Sequence, residues 1–233
     1  MDISTLMSLG RFKEIVTILI KYGFDDLVER LDLPGKEWIQ KIRKVDHDMG
    51  IFERIRCSLE ELGPTFVKFG QIMSLRPDLI PPPLVDELSK LQDDVAPIEF
   101  SHIKEAVEES TGKPLEKTFS IFDAEPLAAA SISQVHRGVL KEAGAIVTVK
   151  VQRPGIRSNI EKDLNLLGAI AERLHERVDE LKNYDLPALV RVTKRNLLRE
   201  LDFNREARNM KIAASYADEA SDITIPGVFE EYC

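Results

Sequence analysis

The chain has 233 residues, of which 43% are hydrophobic and 31% charged, a composition typical of a soluble globular protein. Its net charge of −8 comes from 32 basic and 40 acidic residues that are dispersed along the sequence, so no concentrated basic stripe predicts a nucleic-acid surface. The two cysteines, Cys57 and Cys233, have no metal-binding spacing and form no disulfide framework. The start of the chain lacks a secretory pattern, and we expect a cytoplasmic protein, with a peripheral place at the cytoplasmic membrane left open.

Residues 1–50 are predicted to form an N-terminal helical region. Ile15, Ile18 and Leu19 recur at the spacing of one helix face, which is typical of a helix packed against its own domain. A helix lying on a membrane surface is the alternative, but few basic residues accompany the apolar ones.

Residues 51–115 are predicted to form a helical extension. Gly63-Pro64 ends one helix and begins the next, because proline suits a first helical position. The prolines at 81–83 predict a turn and extended chain, and Ser101 is the expected N-cap of a later helix. The predicted helices are Ile51–Leu62, Pro64 to about Leu75, Val85–Leu91 and Ser101–Thr111.

Residues 116–233 begin with strand-like composition, which predicts a three-strand antiparallel meander over Lys117–Phe122, Ser133–Leu140 and Ala145–Gln152. Two long helices should follow, one from Pro154-Gly155 to about Leu181 and one from Pro187 to about Tyr216. Two short strands are expected at the end, over Ile223–Ile225 and Val228–Glu231.

Lys150 lies near the end of the last predicted meander strand, in the run Val149-Lys150-Val151. Lysines are common at strand ends, but here the loop Pro126–Ser133 between two earlier strands contains Ala128, Ala129, Ala130 and Ser131. Small residues let a backbone approach a ligand closely, as in a phosphate-binding loop. A packed turn is the alternative for the alanines alone.

An acidic cluster on the last predicted helix contains Glu200, Asp202 and Glu206. If that helix is continuous, Asp202 and Glu206 lie about 40° apart on one face and Glu200 about 120° from Glu206. A solvated face paired with neighbouring arginines is the alternative interpretation.

The predicted helix from Pro64 carries Lys68, Gly70 and Gln71 among mostly apolar neighbours. Burying a lysine costs several kcal/mol unless it meets an acid or a polar cleft. A glycine within a helix costs about 1 kcal/mol relative to alanine, which suggests that another element approaches Gly70 closely.

Together these motifs resemble the UbiB/ADCK family of atypical protein-kinase-like proteins over roughly residues 50–233. Lys68-Phe69-Gly70-Gln71 matches the KxGQ motif of that family, and Ala128-Ala129-Ala130-Ser131 matches its alanine-rich loop. The run from Lys150 to Gly155 matches its nucleotide-lobe lysine and the following turn. Glu200-Leu201-Asp202 matches its ExD motif.

The resemblance implies an α+β fold in which the 51–115 extension carries KxGQ and residues 116–233 form a kinase-like N-lobe. It implies an ATP site in which Lys150 binds phosphates and pairs with Glu206, as in protein kinases, while Ala128, Ala129, Ala130 and Ser131 cover the phosphates. Lys68, Gly70 and Gln71, together with Glu200 and Asp202, would then be regulatory, with Lys68 near Glu200.

No catalytic-loop or metal-binding aspartate motif of a kinase C-lobe appears in the sequence, so we expect no catalytic residue here, no metal ligand and no turnover by this segment alone. The resemblance implies ATP, with Mg²⁺ only in a full-length protein, and a role in ubiquinone or related prenyl-lipid biosynthesis. Candidate partners are a nucleotide, a prenyl lipid or quinone precursor, and a membrane surface. A non-catalytic, nucleotide-sensing scaffold that binds a membrane or a biosynthetic complex is the alternative.

Overall fold

The computed structural model describes residues 10–32, 49–92, 95–217 and 223–232. The described residues fall into two compact units. The helical unit takes those within 1–93 and 157–195, and the sheet unit takes those within 94–156 and 196–233. Each unit is described by itself below.

The elements follow one another along the chain as helices, then a small sheet, then helices again. In order they are α1 (Gly10–Lys21), α2 (Asp25–Arg30), α3 (Ile51–Leu62), α4 (Pro64–Ser74), α5 (Pro82–Leu88), α6 (Phe100–Thr111), α7 (Leu115–Thr118), β1 (Phe119–Phe122), β2 (Ala128–Ala129), β3 (Ser133–Leu140), β4 (Ile146–Gln152), α8 (Ile156–Arg177), α9 (Leu186–Glu200) and α10 (Phe203–Tyr216). Short 3₁₀ turns lie at Asp179–Leu181 and Glu230–Tyr232. The predicted α+β fold class is confirmed.

The helical unit is organised around α1, whose apolar side chains are almost completely buried. Phe12 and Ile15 of α1 share a core with Phe66 of α4 and with Leu166 and Ile170 of α8. An ion pair at the edge of this core joins the same helices, because the Arg11 guanidinium donates to Asp163 at 2.8 Å and to the Leu62 carbonyl at 2.6 Å. This packing groups α8 with the first helices, whereas the sequence-based division assigned it to residues 116–233. That three-part division stays a prediction.

The sheet unit has β3 at its centre, with β1 and β2 paired to it antiparallel and β4 paired to it as well. The three predicted meander strands are therefore present, with starts at Phe119, Ser133 and Ile146. One face of this sheet packs against α6, where Ile103 and Val107 meet Val151 in a second core.

A buried polar cluster fastens the segment before α6 to β3. The Gln134 side chain accepts a hydrogen bond from the Ile98 amide at 2.8 Å, and His136 Nδ1 lies 2.8 Å from the Asp123 carbonyl. Because a carbonyl only accepts, Nδ1 carries the hydrogen, and Nε2 is left to accept from the Gln134 amide at 3.0 Å. Both side chains are fully buried and their hydrogen bonds are satisfied.

The structure corrects the predicted helix boundaries in three places. The helix predicted from Pro187 to Tyr216 is two helices, α9 and α10, because Asp202 accepts a hydrogen bond from the Arg205 amide and caps a new helix. Ser101 is not an N-cap, because α6 already begins at Phe100 and its extended flanking residue is Glu99. The helix expected over Val85–Leu91 begins earlier, because two prolines occupy its first turn, where no N–H partner is needed.

The two short strands predicted near the end of the chain are also wrong. Over residues 223–232, the only regular element is the 3₁₀ turn Glu230–Tyr232. Phe229 and Tyr232 pack individually against the core of the sheet unit. Phe229 of the second predicted strand therefore anchors an irregular segment, whereas Ile223 of the first is exposed.

In the part of the chain that the structure describes, no helix combines the length and the apolar character needed to cross a bilayer.

Candidate functional site

The face of the sheet that points away from α6 carries a row of three side chains across three strands. The register places Ala128 of β2 opposite Val135 of β3, and Val135 opposite Lys150 of β4. Directly opposed residues of antiparallel strands point to the same face. The neighbouring positions Gln134 and Val151 point to the buried face instead. The alanine loop and Lys150, predicted to act together, thus begin and end one row on the exposed face.

Lys150 is held at the end of this row by Glu206 of α10. Its Nζ lies 2.7 and 2.9 Å from the two carboxylate oxygens, so the predicted Lys150–Glu206 ion pair is present. The ring of Phe203 lies 4.7 Å below the same ammonium group, a favourable cation–π distance. An ammonium group has three N–H donors. Since Glu206 offers two oxygens, at least one donor remains for a third acceptor.

The joint between α9 and α10 gives Asp202 a definite structural task. Its Oδ1 accepts a hydrogen bond of 2.9 Å from the Arg205 amide, and its other oxygen lies 3.6 Å from Arg208. The predicted common face of Asp202 and Glu206 assumed a continuous helix, but the helix is interrupted here and Asp202 precedes the first turn of α10. Asp202 caps the helix whose fourth residue, Glu206, binds Lys150.

The alanine loop, residues 128–131, is fixed by main-chain and side-chain hydrogen bonds. Ala128 and Ala129 form the short strand β2, and the Ala130 amide donates to Ser133 O at 2.9 Å. The Ala130 carbonyl accepts from Arg153 at 2.8 Å. Ser131 is almost fully buried, yet its hydroxyl has no hydrogen-bond partner. A buried hydroxyl without a partner is costly.

The KxGQ segment lies in the helical unit, where two of its residues contact Leu91, three residues past the end of α5. A Cβ on Gly70 would come 2.3 Å from Leu91 and 3.0 Å from Leu59, so the close approach predicted from this glycine is confirmed. The Gln71 amide donates to the Leu91 carbonyl at 3.2 Å. Both residues therefore have packing roles within their own unit, whatever further role the motif has.

Lys68 and Glu200 belong to different units. Lys68 is half-buried on α4, and Glu200 is exposed at the end of α9. The contact between them, expected from the family resemblance, stays a prediction.

Sequence reasoning missed three residues that contact the predicted site. Phe203 was treated only as part of an acidic helix, and Gln152 and Arg153 were matched to a family motif without a role. Their signal was position alone, because Gln152 ends the strand of Lys150, Arg153 directly follows that strand, and Phe203 directly follows the cap residue. Among the described residues, no group of three or more His, Cys, Asp or Glu side chains is placed to hold a metal ion.

Comparison with known proteins identifies the family. Residues 90–233 match the ABC1 atypical kinase-like domain. The chain is 37% identical over 230 residues to the "Probable protein kinase UbiB" of Vibrio cholerae serotype O1 (strain M66-2), covering 97% of the chain and 42% of that protein. The protein with the same description from Aliivibrio salmonicida (strain LFI1238) is 38% identical over 232 residues, covering 96% of the chain and 42% of that relative.

A solved structure, the complex of Rv3197 with erythromycin from Mycobacterium tuberculosis, is 28% identical and covers 72% of the chain and 42% of its own chain, with a TM-score of 0.49. The chain spans about 42% of the length of the curated relatives given above. The domain match covers more than half of the chain and includes the alanine loop, Lys150 and Glu206. The chain belongs to the ABC1 atypical kinase-like family, which agrees with the UbiB/ADCK resemblance of its motifs.

Proposed function

We propose that the sheet unit holds the phosphates of ATP in an atypical kinase-like protein that supports ubiquinone or related prenyl-lipid biosynthesis. The observation that carries the proposal is the exposed row Ala128–Val135–Lys150, ending in an ammonium group that is already paired with Glu206. The family is kinase-like, and in protein kinases a strand lysine paired with a helix glutamate contacts the nucleotide phosphates. The role in ubiquinone or related prenyl-lipid biosynthesis rests on the UbiB/ADCK resemblance of the motifs and on the UbiB name of the relatives.

The residues of the row fit a bound nucleotide in size and charge. Ala128 and Val135 offer a low apolar surface, on which a flat, uncharged group can lie. Lys150 has a donor left for a phosphate oxygen, and Glu206 fixes the direction of the ammonium group. ATP bound with Mg²⁺ would supply the transferable phosphoryl group.

The experiment is calorimetric titration of Mg-ATP into the product of the complete reading frame that contains this chain. Lys150→Met keeps the length of the side chain but removes the charge, and it should weaken ATP binding at least tenfold, about the value of one charge-assisted hydrogen bond. Lys141→Met is the matched control, because Lys141 is also an exposed lysine of the sheet unit but donates to the Glu116 carbonyl. Equal ATP affinity in both variants would contradict the proposal.

Phosphate release, measured with and without soluble analogues of quinone precursors, tests the second half of the proposal. Turnover that rises with such a compound supports action on a prenyl-lipid or quinone precursor. ATP binding without any turnover would instead favour the nucleotide-sensing scaffold.

A further inference from the structure

The turn that follows Lys150 contacts both the alanine loop and the helix joint. Strand β4 ends at Gln152, two residues after Lys150, and Arg153 follows it. The Gln152 amide donates to the Leu201 carbonyl at 2.9 Å, and the Arg153 side chain donates to the Ala130 carbonyl at 2.8 Å. Adjacent residues therefore reach two different parts of the site.

The Leu201 carbonyl needs a donor because the helix is interrupted there. In a continuous helix this carbonyl would accept from the Arg205 amide. That amide instead bonds to Asp202, through the side chain at 2.9 Å and the carbonyl at 3.0 Å. Leu201 is 3% exposed, so water has little access to it, and a buried carbonyl without a partner is costly. Gln152 supplies the hydrogen bond that the interruption removes.

The position of α10 depends on such single contacts. No residue of α10 is buried, so a packed apolar face does not hold this helix. The Gln152–Leu201 hydrogen bond lies two residues from Lys150 on one side and five residues from Glu206 on the other. It therefore holds the strand of Lys150 to the start of the helix that carries its carboxylate partner.

Arg153 fixes the alanine loop from the opposite side. Its side chain donates to Ala130 O, and its own amide donates to Ile132 O at 3.0 Å, so it binds the carbonyls on both sides of Ser131. A third hydrogen bond of 2.9 Å reaches Ala96. Among the described residues no carboxylate pairs with Arg153, and burial lowers the pKa of its guanidinium. The Arg153 guanidinium therefore donates its hydrogen bonds to backbone carbonyls. These hydrogen bonds orient the alanine loop.

We propose that Gln152 and Arg153 are positioning residues of the nucleotide site: Gln152 sets the joint that places Glu206 against Lys150, and Arg153 sets the conformation of the alanine loop. This inference rests on the proposed function for its effect on ATP. The hydrogen bonds that define it can be tested without any nucleotide.

The experiment combines amide hydrogen exchange in this chain with ATP titration of the product of the complete reading frame. Gln152→Leu should speed exchange of the Arg205 and Glu206 amides about tenfold, the equivalent of one hydrogen bond, and leave the Ala130 amide unchanged. Arg153→Met should speed exchange of the Ala130 amide and leave the Arg205 and Glu206 amides unchanged. Lys141→Met, which removes a lysine that also donates to a backbone carbonyl, should change neither set.

Each of the two variants should also weaken ATP binding about tenfold. Equal effects of both variants on both sets of amides would indicate general destabilisation and overturn the inference. Normal ATP affinity in both variants, in a protein where Lys150→Met weakens ATP binding at least tenfold, would overturn it as well. If the proposed function itself is wrong, Lys150→Met will bind ATP with normal affinity.

Discussion

At the scale of single residues, the Lys150–Glu206 pair contributes little to folding. Both side chains are exposed by 39% and 47%, and exposed ion pairs stabilise proteins by about 0–1 kcal/mol. A pair that adds little to stability but joins a strand to an otherwise unburied helix is better explained by binding than by folding. Lys150 and Glu206 can therefore be substituted without loss of the fold.

We expect Lys150→Met and Glu206→Gln to change the free energy of unfolding by less than about 1 kcal/mol each. Both should weaken ATP binding, and the double variant should lose less affinity than the sum of the two, because the residues act as a unit. Urea unfolding and ATP titration of the four proteins measure both quantities. Additive losses of affinity would show that the two residues act independently.

In the helical unit, the hydrogen bonds of Glu61 predict how the stability of the unit depends on pH. Glu61 accepts from Lys21 at 2.6 and 2.7 Å and from Tyr22 at 2.9 Å. Burial alone would raise the pKa of Glu61, but the hydrogen bonds from Lys21 and Tyr22 hold it below its usual value of 4.5. Burial and the Glu61 carboxylate raise the pKa of Tyr22 from 10.0 to about 12.

These directions fix the sign of the effect at each end of the pH range. The contribution of Glu61 is present above pH 4.5 and is lost as the pH falls through its lower folded pKa. That of Tyr22 is present below pH 10.0 and is lost as the pH rises to about 12. Urea unfolding across pH should show a smaller alkaline loss in Tyr22→Phe. Exposed Tyr184, changed to Phe, is the control, and an equal change in both variants would contradict this assignment.

At the scale of elements, the N-cap of α10 should contribute more to the stability of this helix than its packing does. We expect Asp202→Ala to cost about 1 kcal/mol of helix stability, because the Arg205 amide loses its side-chain acceptor. Asp202→Asn keeps a capping oxygen and should retain most of the stability. Amide exchange along α10 measures both. Equal loss in the two variants would assign the effect to the charge, and so to Arg208, in place of the cap.

The close contact at Gly70 leads to a prediction with a matched control in another helix. Gly70→Ala would force Leu91 and Leu59 aside, and overpacking of this kind costs about 1–3 kcal/mol, more than the roughly 1 kcal/mol gained in helix propensity. Gly168→Ala on α8 meets only Val190, at 3.8 Å, and should stabilise the protein by up to about 1 kcal/mol. Thermal unfolding compares them, and stabilisation by both changes would show that Leu59 and Leu91 pack loosely around Gly70.

The sequence predicted elements where periodicity alone decides the structure. The long strands β3 and β4 and the helices α3 and α4 were placed within a residue or two. It failed where one side chain decides, as at Asp202, whose capping hydrogen bond interrupts an apparently continuous helical pattern. Gln152 was equally hidden, because its partner is the buried Leu201 carbonyl, which the interruption leaves without a helical hydrogen bond. Such contacts depend on tertiary structure and have no periodic signal.

At the scale of the whole molecule, the two units divide the family motifs between them. The helical unit carries Lys68, Gly70 and Gln71, and the sheet unit carries the alanine loop, Lys150 and Glu206. In the helical unit, Gly70 and Gln71 have packing roles around Leu91. In the sheet unit, the kinase-like ion pair of Lys150 with Glu206 is formed by the described residues themselves. The central claim is that this arrangement receives the phosphates of ATP.

That claim is tested most directly by labelling the product of the complete reading frame with an acyl-phosphate derivative of ATP, which transfers its acyl group to a lysine beside the phosphates. Peptide mapping should find Lys150 as the principal site, and an excess of ATP should protect it. Lys141 and Lys117, exposed lysines of the same unit, should react weakly and without protection by ATP. Equal labelling of all three lysines, unaffected by ATP, would contradict the account.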